Sequence, residues 1–198
     1  MAPNPSIDRF AVIAAGFQGD TSTALAALNH SDSSLRASAL RALHRLGELR
    51  AEHIAHSLMD QSPEVRRTAV ELSVGFDISI HELLNDSDVF VAEMTAWSLG
   101  ENQHPSDEEI NALIHATTEH AESVVREACA AALGSLGDIR GLPAILSACA
   151  DKPAVRRRAV LALAPFDGEL VDAALQRALE DRDWQVRQNA EILVNPRD

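Results

Sequence analysis

The chain has 198 residues, 46% of them apolar, with nine Gly and eight Pro, a composition that supports a packed core rather than disorder. Its formal net charge of −13 argues against the basic footprint of a nucleic-acid binder. No apolar run reaches the roughly 18 to 20 residues of a membrane span. The opening Met1-Ala2-Pro3-Asn4-Pro5 lacks the basic and apolar regions of a secretory signal, and Cys129 and Cys149 are too few for a disulfide framework. A cytoplasmic location is the expectation from these features. With five Phe, two Trp and no Tyr, the core must be built from Ala, Leu, Val and Ile, which suits closely packed helices.

In chain order, residues 1–19 read as a degenerate N-terminal helix, cued by the apolar run over residues 10–15. Residues 20–194 carry two interleaved ladders. One is a phrase: Leu35-Arg36…Ala39, Val65-Arg66…Ala69, Val125-Arg126…Cys129, Val155-Arg156…Ala159 and Val186-Arg187…Ala190, with a divergent copy read as Phe90-Val91…Met94. Its anchors at 35, 65, 90, 125, 155 and 186 are spaced by 30, 25, 35, 30 and 31 residues. Within a copy, Val125, Cys129, Leu133 and Leu136 fall on one face of a helix, here termed A. Cys129 holds the small-residue slot and is read as core.

The second ladder is a helix B between the A copies: Leu25-x-x-Leu28, Ile54…Leu58, Ile80-x-x-Leu83-Leu84, Ile110-x-x-Leu113-Ile114, Leu142-x-x-Ile145-Leu146 and Val171…Leu175. Gly47, Gly75, Gly137 and Gly100 are read as C-caps of A helices. Ser62-Pro63-Glu64 marks one A start, and Asp181 and Asp183 precede the last. Asp20, Asp77 and Ser106 are read as caps of B helices, Ser106 with Glu109 forming a capping box. Two ladders of one period predict a solenoid, in which each unit buries its apolar face on its neighbours. The expected fold is an all-α, right-handed αα superhelix of about six hairpins in one domain over residues 1–198.

The phrase Asp60-x-x-Pro63-Glu64-Val65-Arg66-x-x-Ala69, and the run from Val125-Arg126 through Leu136-Gly137-Asp138, resemble the HEAT-like repeat family, in particular its short variety first associated with phycobilisome lyases. The resemblance covers about residues 20–194. It implies a scaffold or binding platform, an enzyme-assembly subunit or, rarely, a catalyst, with B helices lining the usual binding face. The family pattern also pairs an Asp before helix A with the Arg of the phrase. Asp60 with Arg66 and Asp181 with Arg187 keep that spacing, and Asp151 lies one residue closer to Arg156. His30, Asn85 and His120 occupy the Asp slot elsewhere, and Val91 replaces the Arg. These Arg residues are read as a structural ladder of paired guanidinium groups rather than as nucleic-acid contacts.

Charge is uneven. Residues 68–125 contain twelve acids and no Lys or Arg, while the remainder holds 17 basic and 18 acidic residues. An acidic face that serves solubility is the plainer account, and Asp107-Glu108-Glu109 also suits a helix N-terminus. The functional account is a dock for a cationic protein segment, which electrostatic complementarity would steer and select. Trp97 lies among these acids; core filling is the reading favoured for it, partner contact the alternative.

For catalysis the pattern offers little. A metal site needs three or four converging ligands; His115, Glu119 and His120 are the nearest approach. The HEAT-like iron hydroxylases use repeated His-Glu pairs, whereas here only His81-Glu82 occurs. No phosphate loop or nucleophile elbow is present. The reading is therefore a non-catalytic protein-interaction scaffold holding a basic protein segment on its acidic middle repeats, in the groove of the middle B helices. Its contact candidates are Glu101, Asp107, Glu108, Glu109, Glu119, Glu122 and Trp97, with no catalytic residue, cofactor, metal, nucleic acid or membrane. The alternative is a subunit of a lyase or enzyme-assembly complex of the phycobilisome-lyase type.

Overall fold

The structure is a computed structural model and describes residues 8–195. The N-terminal Met1-Ala2-Pro3-Asn4-Pro5 stretch lies outside the described residues. The described residues form twelve α-helices and two short 3₁₀ segments, with no strand, in the all-α solenoid class that the period predicts. The chain divides after Ile78 into two compact units.

The first unit contains α1 (Arg9–Gln18), α2 (Thr21–Ala27), α3 (Ser33–Leu46), α4 (Ala51–Ser57) and α5 (Pro63–Glu71). The A-type helices α1, α3 and α5 pack in succession, with α2 against α1 and α3, and α4 against α5. Its core joins Leu40, Leu43, Ile54, Val65 and Ala69, with Phe76 and Ile78 packed against it. Helix α1 starts where the Asp8 carboxylate accepts the Ala11 N–H at 2.8 Å. The first B helix buries Ala24 and Ala27 instead of Leu25, which is 42% exposed.

The second unit opens with a 3₁₀ turn over His81–Asn85 and contains α6 (Val89–Gly100), α7 (Asp107–Glu119), α8 (Ser123–Leu136), α9 (Leu142–Ala148), α10 (Pro153–Ala162), α11 (Glu169–Leu179) and α12 (Trp184–Val194). Here α6, α8, α10 and α12 are the A helices, each packed on the next. The expected third B helix is only the 3₁₀ turn, so Asp77, four residues before it, caps nothing. Ser62 opens α5 without a side-chain capping bond; the Asp60 carboxylate takes the Ser62 N–H instead, at 2.8 Å.

Three details correct the sequence reading. First, the divergent copy is phased one residue later. Asp88 caps α6, accepting the N–H groups of Phe90 and Val91, and this fixes Val91 as the buried anchor, fully enclosed where Phe90 is 57% exposed. The phrase there is Val91-Ala92…Thr95, so Ala92 takes the Arg slot and Asp86 the Asp slot. Asp86 indeed accepts the Asp88 N–H, as Asp60 accepts that of Ser62.

Second, the Arg–Asp pairs run between repeats, not within them. Arg36 grips Asp60 bidentately at 2.7 Å, Arg126 grips Asp151 at 2.6 and 2.9 Å, and Arg156 grips Asp181 at 2.8 Å. Toward its own repeat each Arg donates to main-chain carbonyls, as Arg66 does to Asp60 and Arg187 to Asp181. These hydrogen bonds hold the Asp60, Asp151 and Asp181 carboxyls below the usual carboxylate range, against the opposing effect of burial. His120 sits in the Asp slot that faces Ala92, the one copy without Arg, and its Nδ1 accepts the Glu122 N–H at 3.1 Å. His30, at the start of the ladder, accepts the Asp32 N–H in the same way. In these two slots a ring nitrogen takes the turn N–H that the Asp60 carboxylate takes in its own slot; an unpaired, half-buried carboxylate there would be costly.

Third, Gly100 is not a left-handed cap. It ends α6 in contact with α8, where a Cβ would lie 2.9 Å from the Ala132 Cα. Gly134 on α8 repeats the contact, with a Cβ 2.6 Å from the Ala162 Cα of α10. Gly47 and Gly137 do cap α3 and α8 at φ 72° and 63°, whereas Gly75 lies beyond the end of α5.

Two outcomes follow in thermal unfolding. Gly134→Ala lowers stability by about 1–3 kcal/mol through overpacking, although helix propensity alone predicts a gain of about 1 kcal/mol; a raised Tm would refute the close approach. Ala92→Arg combined with His120→Asp is more stable than the two single effects summed, by about 0.5–3 kcal/mol, because together they install the missing rung. Strict additivity in that double-mutant cycle would refute the between-repeat ladder.

Candidate functional site

On α6 the residues Val91, Ala92, Thr95, Ala96 and Leu99 are buried against neighbouring helices. The opposite stripe, one turn apart at each step, is Glu93, Trp97 and Glu101. Trp97 is therefore 50% exposed and does not fill the core, which corrects the reading favoured for it. The helical phase set by Asp88 and Val91 turns it outward.

Beside this stripe lies a cleft of about 360 Å³ over the A helices of the second unit. Its floor is Ala128, Ala131 and Ala132 of α8, held low because Gly100 lets α6 and α8 touch. Trp97 forms a wall, Glu93, Glu101 and Glu127 stand at the rim, and Arg158 of α10 closes the far side. Arg158 approaches Glu127 at 3.8 Å, a loose pair with side chains 48% and 30% exposed. Among the described residues no cation pairs with Glu93 or Glu101. The cleft therefore combines an aromatic face, an apolar floor and excess negative charge, the chemistry that takes up a cationic side chain with an aliphatic stem.

The other acidic candidates do not join it. Asp107 and Glu108 are exposed in the first turn of α7, and Asp107 is neutralised by Arg140 at 2.6 Å, which also holds Asp138. Glu109 is 8% exposed, and its carboxylate accepts the Ser106 N–H at 2.8 Å and the Asn102 side-chain amide at 3.2 Å. It closes the capping box and has no surface to offer. Glu119 ends α7, about 18 Å along the helix from Asp107, and Glu122 opens α8; both are exposed.

Trp97 and Glu101 are thus the two candidates brought together. Glu93 was legible from its four-residue spacing to Trp97. Glu127 and Arg158 come from the next two A helices, and no local pattern marks them. Elsewhere, burial pushes the Cys129 thiol up to about 12, in keeping with its core slot. Among the described residues no three His, Cys, Asp or Glu side chains are grouped to hold a metal ion, and no helix is long and apolar enough to cross a membrane.

A profile of HEAT repeats matches residues 78–164 and, overlapping, 110–194. Among solved structures, the Escherichia coli protein YibA is similar at 19% identity and a TM-score of 0.65, over 98% of this chain and 77% of that one. An engineered protein is similar at 19% identity and a TM-score of 0.58, over 94% and 60%. Human deoxyhypusine hydroxylase, in complex with glycerol, is similar at 18% identity and a TM-score of 0.50, over 94% and 76%. At these identities the likeness is one of fold. A comparison of the sequence with curated proteins finds no match.

Because Trp97 is an outer wall and not a core residue, Trp97→Ala shifts the unfolding free energy by less than about 1 kcal/mol, against the 3–5 kcal/mol of a buried aromatic. A loss in the larger range would place the indole in the core after all.

Proposed function

The chain belongs to the HEAT-repeat family, whose fold commonly serves as a protein-interaction scaffold, and on that premise we propose that it is a non-catalytic scaffold seating a basic segment of a partner protein in the Trp97 cleft. The observation that carries this reading is the meeting of a half-exposed indole with Glu93, Glu101 and Glu127 over an alanine floor. A Lys or Arg side chain laid along that floor covers its stem with Ala128 and Ala131, sets its charge against the indole face and approaches Glu93 and Glu101, which have no internal partner among the described residues. A cation over an indole contributes about 0.5–1 kcal/mol when exposed and about 2 when desolvated. The carboxylates add mostly to the rate of encounter and to the choice of partner.

This reading moves the contact from the B helices to the A helices, and from the Asp107–Glu109 triplet to the Glu93–Trp97–Glu101 stripe. Solubility alone accounts for exposed carboxylates; it gives no reason for an aromatic wall beside them.

Selection of random twelve-residue peptides on the wild-type protein tests the proposal. Sequences enriched in Lys or Arg are expected, with binding weakened roughly 2- to 30-fold by Trp97→Ala, the range of one cation–π contact. Binding also falls on Glu93→Gln with Glu101→Gln, and at high salt. Enrichment without basic residues, or equal binding to wild type and variants, would overturn it.

A further inference from the structure

The A-helix face of the second unit does not end at Arg158. A second hollow of about 240 Å³ continues from the first between α8, α10 and α12, and the two share Glu127 and Arg158 as a common wall. Its character is different. Arg157 and Arg158 stand on α10, Leu161 lies between, and Gln185 and Gln188 project from α12. Arg157 is committed to Asp183 at 2.7 and 3.0 Å, and the Asn189 amide donates to the Arg157 carbonyl at 2.9 Å. Among the described residues Arg158 has only the loose 3.8 Å approach to Glu127. The first hollow thus has Glu93 and Glu101 without an internal partner among the described residues, and the wall it shares with the second carries a guanidinium that is barely paired.

Resting on the proposal above, we infer that the partner segment is of mixed charge: extended, with a carboxylate about three residues from the Lys or Arg that enters the Trp97 cleft. The cation takes Glu93, Glu101 and Glu127; the carboxylate takes Arg158, releasing it from Glu127. Packed helices lie about 8–10 Å apart and an extended chain advances about 3.3 Å per residue, so one step across the A helices corresponds to about three residues. The amides of Gln185 and Gln188 then face the segment's main chain, which has one donor and one acceptor per residue to satisfy. A uniformly basic segment fits worse than net charge suggests, because its second cation meets Arg158.

The test uses Trp184→Phe protein, in which Trp97 is the sole indole. Fluorescence titrations compare capped peptides carrying Lys-Ala-Ala-Glu, Glu-Ala-Ala-Lys, Lys-Ala-Ala-Gln or Lys-Ala-Ala-Lys in one Gly/Ser frame, with Gln-Ala-Ala-Glu as control. One of the two Lys/Glu orders is expected to bind about threefold to fivefold more tightly than Lys-Ala-Ala-Gln, and Lys-Ala-Ala-Lys more weakly, the scale of a partly exposed ion pair. Arg158→Gln removes that ranking, and Arg158→Glu reverses it. If the lysine peptides bind but Glu brings no gain in either order, or the ranking survives Arg158→Glu, the mixed-charge inference fails and the cationic cleft stands. If no lysine peptide perturbs Trp97 beyond the control, the cleft proposal itself fails and the inference with it.

Discussion

Successive A helices of the second unit meet backbone to backbone at a glycine–alanine step, Gly100 on Ala132 and Gly134 on Ala162, and the surface features depend on that approach. A side chain at either glycine would force the helices apart. Because they touch, the alanines of α8 lie deep between taller neighbours, and the indole of Trp97 and the guanidinium of Arg158 become walls. Shape here is a consequence of small residues on the outer face of a helix pair. Charge is then added at the rim by Glu93, Glu101 and Glu127.

The same stacking explains the Arg–Asp rungs. A bidentate guanidinium–carboxylate pair is directional, so it sets the register of one repeat on the next more than it adds to net stability. Arg156, the most enclosed, has a side chain 8% exposed, and its Asp181 partner keeps that charge compensated. Where the Arg is missing at Ala92, the facing slot holds His120, whose ring supplies the one acceptor that the turn still requires. The pair of changes is coupled through space across 28 positions of sequence, and each makes sense only with the other.

The acidic block divides by use. Asp86, Asp88 and Glu109 accept main-chain N–H groups at turns and helix starts, and Asp107 is compensated by Arg140. Glu93 and Glu101 have no such duty and flank an exposed aromatic. Net charge therefore overstates the surface available for recognition. Among the described residues only a subset of these carboxylates is left by folding without an internal partner.

By itself the sequence determined the helical class, the repeat of about 30 residues and most anchor positions, because burial at 3.6-residue spacing is a local property written into every copy. Val65, Val125, Val155 and Val186 lie where the pattern puts them. It misphased the divergent copy, since Phe90 and Val91 are equally apolar and only the cap at Asp88 separates them. It also joined each Asp to the Arg of its own repeat, since spacing along a chain cannot say which neighbour a side chain crosses to. Tertiary structure alone decided that Trp97 faces outward, that Glu109 is committed to its helix, and that Glu127 and Arg158 join the stripe of α6. The reason is physical: a cleft between repeats is made by the distance between helix backbones, and that distance is set by pairs of residues about 30 positions apart, Gly100 with Ala132 and Gly134 with Ala162.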